Sequence, residues 1–199
     1  SRYLNDERFT ELNLYLADYY KKNNKYKACL TVLLDYIQQK KAAPRIFKIC
    51  GDLYLDIKDY YNASSYYQSV LAKLQSGHMK MKILNNTAYA RYHQQDYEKA
   101  LHLIKRACQM QSKNPALYYN KALILKHTGQ YRQYTTALDD ALKYIKYNYN
   151  DKLKSQILLE YGLKTLQQGN ISTARKYLKK AVRSDPDNTV AEYQLNQLN

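Results

Sequence analysis

The chain has 199 residues, 45% hydrophobic and 25% charged, so it can bury a core and does not read as a disordered tail. Five Gly and three Pro are too few for the frequent turns of an all-β sandwich or barrel. The 32 Lys and Arg against 17 Asp and Glu leave a net charge of +15, and no run of about 18 apolar residues offers a membrane span.

No secretory leader opens the sequence, and a first residue of Ser1 fits an excised or processed piece. Residues 1–9 are a lead-in to which no element is assigned. From residue 10 a unit recurs. An aromatic or aliphatic marker falls at Tyr26, Tyr60, Tyr97, Tyr131 and Ile171, at steps of 34, 37, 34 and 40. A basal period of 34 with insertions of three and six accounts for these steps. Nine positions before each marker stands a small residue: Ala17, Gly51, Ala88, Ala122 and Gly162. In four units a bulky residue lies four places earlier still: Phe47, Leu84, Tyr118 and Leu158. Small against large at fixed spacing lets two helices approach closely.

Five helix pairs follow in chain order, over residues 10–43, 44–77, 81–114, 115–148 and 155–188. Pro44 and Pro115 each open a first helix, where a missing N–H costs nothing, and Asn114 is placed to cap the second of these. The closest copy to a full pattern is Phe47-x2-Cys50-Gly51-x2-Tyr54 with Ala63-x3-Tyr67. Asp185-Pro186 closes the fifth unit. Thr189-x-x-Glu192 has the form of a capping box and predicts a last helix from about 189 to the end, with Leu195 and Leu198 covering the final flank.

This pattern resembles the tetratricopeptide repeat, whose signature is W-x2-L-G-x2-Y, then A-x3-F, then a late Pro. The resemblance covers residues 10–188. It implies an all-α fold, a right-handed α-solenoid of stacked antiparallel helix pairs, with a concave groove lined by the first helix of each pair. The sequence departs from the pattern at Arg91 and Thr165, where Tyr is usual, at Thr87 and Lys121, where Leu is usual, and at Tyr134, which replaces a small residue.

Chemistry is sparse. No phosphate-binding glycine loop, H-E-x-x-H or G-x-S-x-G is present, and no metal-ligand spacing links His78, His93, His102 and His127. Cys29, Cys50 and Cys108 are odd in number, far apart and set where the repeat wants small apolar residues, so neither a disulfide framework nor a zinc site is expected. Free thiols favour a reducing, cytoplasmic compartment. The reading is a non-enzyme with no cofactor and no metal.

The groove implied by the family geometry offers Leu14, Asp18, Lys21 and Lys22, then Arg45, Lys48, Asp52 and Asp56. Its middle offers Asn85, Asn86, Tyr89, Tyr92 and His93, and then Tyr119, Asn120, Leu123, Lys126 and His127. Asn86 and Asn120 are 34 apart and equivalent. An asparagine amide carries both a donor and an acceptor, matching a peptide backbone, and tyrosines are rigid anchors with polar tips. A subset of the family clamps C-terminal carboxylates with Lys and Asn one turn apart, then Asn, then two cations. Here Lys48 is followed by Asp52, and Ala116 and Asn120 replace the cations, so that specificity is not expected.

Most of the positive charge lies elsewhere. Lys176, Lys179, Lys180 and Arg183 share one face of a helix, while Lys143, Lys146, Lys152 and Lys154 flank the six-residue insertion among Tyr144, Tyr147 and Tyr149. Such faces either keep a solenoid soluble or bind nucleic acid, acidic lipid or an acidic partner. The expected function is a protein-interaction scaffold holding a peptide or helix of a partner in the groove. The alternatives are a nucleic-acid or acidic-surface binder using the basic convex face, or a segment of a larger assembly. Self-association stays open.

Overall fold

A computed structural model describes residues 7–39, 43–75, 77–110, 113–147 and 150–198. Among the described residues every regular element is helical: α1 (Glu7–Lys22), α2 (Tyr26–Gln39), α3 (Pro44–Asp56), α4 (Tyr60–Leu71), α5 (His78–His93), α6 (Tyr97–Cys108), α7 (Pro115–His127), α8 (Tyr131–Tyr144), a 3-10 turn (Ile145–Tyr147), α9 (Asp151–Gln167), α10 (Ile171–Ser184) and α11 (Thr189–Asn196). The five markers each open the second helix of a pair.

One backbone device makes all five hairpins. The residue two places before each marker is left-handed: Asn24 (φ 56°), Lys58 (61°), Gln95 (63°), Gly129 (71°) and Gly169 (77°). The next N–H then reaches back five residues, as Asp59 N does to Tyr54 O at 2.8 Å and Gln130 N to Leu125 O at 2.9 Å. That closes the first helix and reverses the chain. Side-chain caps start several helices: Asp59 accepts from Asn62 N, Asn114 from Ala116 N, Asn150 from Leu153 N and Asn170 from Thr173 N.

The chain forms two compact units, residues 1–107 and 108–199. In the first, α1 to α5 pack each against the next. Its core runs through Leu33, Cys50, Leu53, Tyr67, Val70 and Ile83, all buried. In the second, α7 to α11 do the same around Leu117, Ile124, Leu138, Ile157 and Leu178. The small residues stand where the helices meet. A methyl added at Gly51 would lie 2.6 Å from the Tyr67 ring, and one at Gly162 would lie 2.9 Å from Leu178 Cγ.

The structure adjusts several boundaries. The lead-in is helical from Glu7, and residues 1–6 lie outside the described residues. The insertion of three lengthens α5 at its start, to His78. The fourth pair ends in the 3-10 turn and the six-residue insertion gives α9 an early start at Asp151, with Tyr149 and the side chain of Tyr147 outside the described residues. The last helix is capped one residue earlier than predicted: Asn188 accepts from Ala191 N, and Thr189 is already helical. Asn188 wins because its amide also donates to Ser155 Oγ at 2.9 Å, tying α11 to α9.

The departures from the repeat pattern are accommodated locally. Thr87 and Thr165 are buried and return their hydroxyls to Ile83 O and Tyr161 O, one turn earlier. Tyr134 is buried, with its hydroxyl carried out to Glu160.

Candidate functional site

In the first unit, a hollow of about 740 Å³ lies among α1, α2 and α3. Its walls bring together six residues read from the sequence as groove-facing: Leu14, Asp18, Lys21, Arg45, Lys48 and Asp52, with Met79 at the edge. Buried Ala17, Cys29, Leu33 and Ile46 form the floor. Leu14 and Met79 keep 37% and 42% of their surface exposed, so the hollow has an apolar lip.

Beside it stands a polar chain that the sequence did not reveal. Lys48 Nζ meets Asp52 Oδ2 at 2.5 Å, one turn along α3. Tyr67 crosses from α4 and donates its hydroxyl to Asp52 Oδ1 at 2.7 Å. Asn86 on α5 donates from Nδ2 to the Tyr67 hydroxyl at 3.3 Å, with Asp52 Oδ1 at 3.5 Å. Burial first, and then the Asp52 carboxylate, push the Tyr67 hydroxyl far above the ordinary phenol range. The hydroxyl therefore stays protonated as a donor. The only sequence signal for this chain was Asp52 standing where a carboxylate clamp would have Asn.

Asn85 was expected to look outward; it is buried, with 8% exposure, and its amide lies 3.4 Å from Asn86 Oδ1. Tyr89 and Tyr92 join an aromatic cluster rather than standing alone. His93 stacks on Tyr60 at 4.4 Å, Tyr89 meets both edge-on, and Tyr92 touches His93 and Tyr97. Burial, and then Lys58, lower the His93 pKa. A second unforeseen tie joins successive pairs: Gln94 Nε2 donates to Tyr60 O at 2.6 Å while its oxygen accepts from Arg91.

The second unit carries Tyr119, Asn120 and Leu123, all half-buried on α7. Lys126 bonds to Glu160 of α9 at 2.9 Å, and Tyr134 reaches the same carboxylate oxygen at 3.3 Å. Asn86 and Asn120, expected to act together, thus fall in separate units.

Of the basic residues, Lys143 sits over the Tyr144 ring at 5.5 Å, and Lys152 is exposed. Lys146 and Lys154 meet Lys180 and Arg183 around one hollow, while Lys176 and Lys179 continue along α10. Among the described residues no cluster of His, Cys, Asp and Glu could hold a metal ion, and no helix is long and apolar enough to cross a membrane.

Comparison with known proteins agrees with this architecture. The tetratricopeptide-repeat family model matches residues 157–188, the fifth helix pair. MamA (41-end) from Desulfovibrio magneticus RS-1 superposes with a TM-score of 0.71 at 15% identity, over 90% of this chain and 97% of that one. TTC0263 from Thermus thermophilus gives 0.68 at 16% identity, over 94% and 97%. YrrB, described as a TPR protein with an unusual peptide-binding site, gives 0.63 at 13% identity, over 92% and 89%. The fifth helix pair thus matches the tetratricopeptide-repeat model, and the helix pairs of the chain have the fold of solved tetratricopeptide-repeat proteins. That fold is in general a protein-interaction scaffold.

Proposed function

We propose that this chain is a non-enzymatic scaffold that holds a segment of a partner protein against the exposed face of its first helices. The first-unit hollow carries the reading, because it combines an apolar lip with charges of both signs. Leu14 and Met79 would receive an apolar side chain. Lys21 and Arg45 are exposed, and no carboxylate pairs with either among the described residues. Asp18 is already held by Lys22 at 2.7 Å. A partner segment with one apolar anchor and flanking acidic or amide groups suits such a surface. In the second unit, half-buried Tyr119, Asn120 and Leu123 would add a smaller, uncharged set.

A photo-cross-linking residue placed at Leu14, with Tyr61 on α4 as an exposed control, tests this in a lysate. We expect one protein captured from position 14 and not from position 61, with its yield reduced at least fivefold by Arg45→Glu. Equal capture from both positions, or indifference to Arg45→Glu, would refute the assignment.

A further inference from the structure

Two basic stretches separated in sequence meet at one place in the second unit. Lys146 stands in the 3-10 turn, Lys154 near the start of α9, and Lys180 and Arg183 near the end of α10. All four are exposed, and together they border a hollow of about 570 Å³. Its floor is aliphatic: Leu142, Ile145 and Leu158. Asp151 is its one acidic lining residue, and it sits in the first turn of α9, where the helix dipole favours a carboxylate. Among the described residues no carboxylate pairs with any of the four cations.

Four like charges around one concavity repel one another, and an anionic occupant relieves that repulsion. The floor decides which anion. Nucleic-acid bases gain from aromatic faces, which this floor lacks. A bilayer surface is too broad to enter a hollow of this size. An apolar side chain both enters and buries aliphatic surface. The charge also continues beyond the anchor. A second groove, of about 390 Å³, runs along α10 past Lys176 and Lys179 to Ser172 and shares Lys180 and Arg183 with the first. From Ser172 to Arg183 the helix rises about 16 Å, the reach of about five extended residues.

We propose that this hollow docks an acidic segment of a protein partner, with an aliphatic or aromatic anchor on Leu142, Ile145 and Leu158 and carboxylates beside Lys146, Lys154, Lys180 and Arg183. The site lies in the second unit and does not depend on the first-unit hollow.

The test uses the full chain and a fluorescein-labelled octapeptide of two Glu, Leu-Phe and four Glu, read by anisotropy. Comparison probes are the same peptide with Gly-Gly in place of Leu-Phe, an eight-nucleotide single strand of thymidines, and phosphatidylserine vesicles. We expect saturable binding of the octapeptide, at least tenfold weaker for Lys180→Glu/Arg183→Glu and also for Lys146→Glu/Lys154→Glu, with unchanged helical circular dichroism. The Gly-Gly peptide is expected to bind at least fivefold more weakly. Absence of octapeptide binding overturns the proposal, and so does equal binding of the Gly-Gly peptide. Tighter retention of the oligonucleotide or the vesicles would reassign the surface to nucleic acid or membrane. Cross-linking from Leu14 is expected to be unaffected by either charge-reversal pair, which separates failure of this proposal from failure of the first.

Discussion

Gly51→Ala tests how closely α3 and α4 approach. The added methyl would stand 2.6, 2.8 and 3.0 Å from three carbons of the Tyr67 ring. That ring has no room to yield: Tyr67 is 0% exposed, and its hydroxyl is fixed by Asp52. Overpacking of this kind costs about 1–3 kcal/mol. Loosening a hydrogen bond to a charged acceptor adds about 1 kcal/mol. Ala in place of Gly inside a helix returns about 1 kcal/mol. The net expectation is a loss of about 2 kcal/mol, a fall in Tm of about 4–8 °C for a chain of this size. Urea unfolding followed by far-UV circular dichroism measures it, since the chain has no Trp. In a Tyr67→Leu background the penalty should disappear, leaving the propensity gain of about 1 kcal/mol. Gly51→Ala that is neutral or stabilising in the wild-type background would refute the close approach.

Three further outcomes follow from the same geometry. Gln95 holds a left-handed backbone at φ 63°, so Gln95→Gly should stabilise by about 1 kcal/mol in the same unfolding assay, despite losing a side chain. His93 has its pKa lowered by burial and then by Lys58. On acidification the unfolded chain therefore takes up that proton first. Stability should fall as pH drops through about 6.5 toward the folded value, and His93→Gln should flatten that part of a Tm–pH profile. Burial pushes the Cys50 thiol up to about 12 and raises that of Cys29 as well. At pH 8 about one Cys50 in ten thousand is thiolate, so both should resist a disulfide reagent until the chain is unfolded, as timed absorbance would show.

The architecture could be read from the sequence because it rests on spacing. The markers, the small residues nine places before them and the two helix-opening prolines all reappear as helix starts and close crossings. What spacing could not show is which polar groups find each other. Asp52 and Tyr67 are fifteen residues apart, and Asp52 and Asn86 are thirty-four apart. Their meeting depends on side-chain reach across two helices. Asn85 illustrates the same limit. One residue of rotation separates a groove position from a buried one, and periodicity does not resolve that on a helix whose other face is also packed. The basic hollow was half legible: each stretch was visible, but their convergence depends on the 3-10 turn that ends the fourth pair and on the early start of α9. At the start of α11, Asn188 and Thr189 both had capping chemistry, and the tie to Ser155 decided between them.

Asn86 and Glu160 occupy equivalent repeat positions, and each is bound by a tyrosine hydroxyl from the preceding helix pair: Tyr67 in one unit, Tyr134 in the other. A lysine completes each group, Lys48 through Asp52 and Lys126 directly. The recurrence argues that this position first joins one pair to the next, with partner binding secondary to that role. Asn86→Ala removes a donor from the Tyr67 hydroxyl and from Asp52, at 3.3 and 3.5 Å, both long contacts. The expected cost is about 1 kcal/mol of folding stability. Tyr67→Phe/Asn86→Ala should then cost less than the sum of its single substitutions, because the two groups serve one chain of bonds. A peptide-backbone clamp makes the opposite demand: Asn86→Ala would leave unfolding unchanged and lower partner affinity. Unfolding curves and cross-linking yield from Leu14, measured on the same preparation, distinguish the two. Unchanged stability with lost yield would return Asn86 to the binding surface.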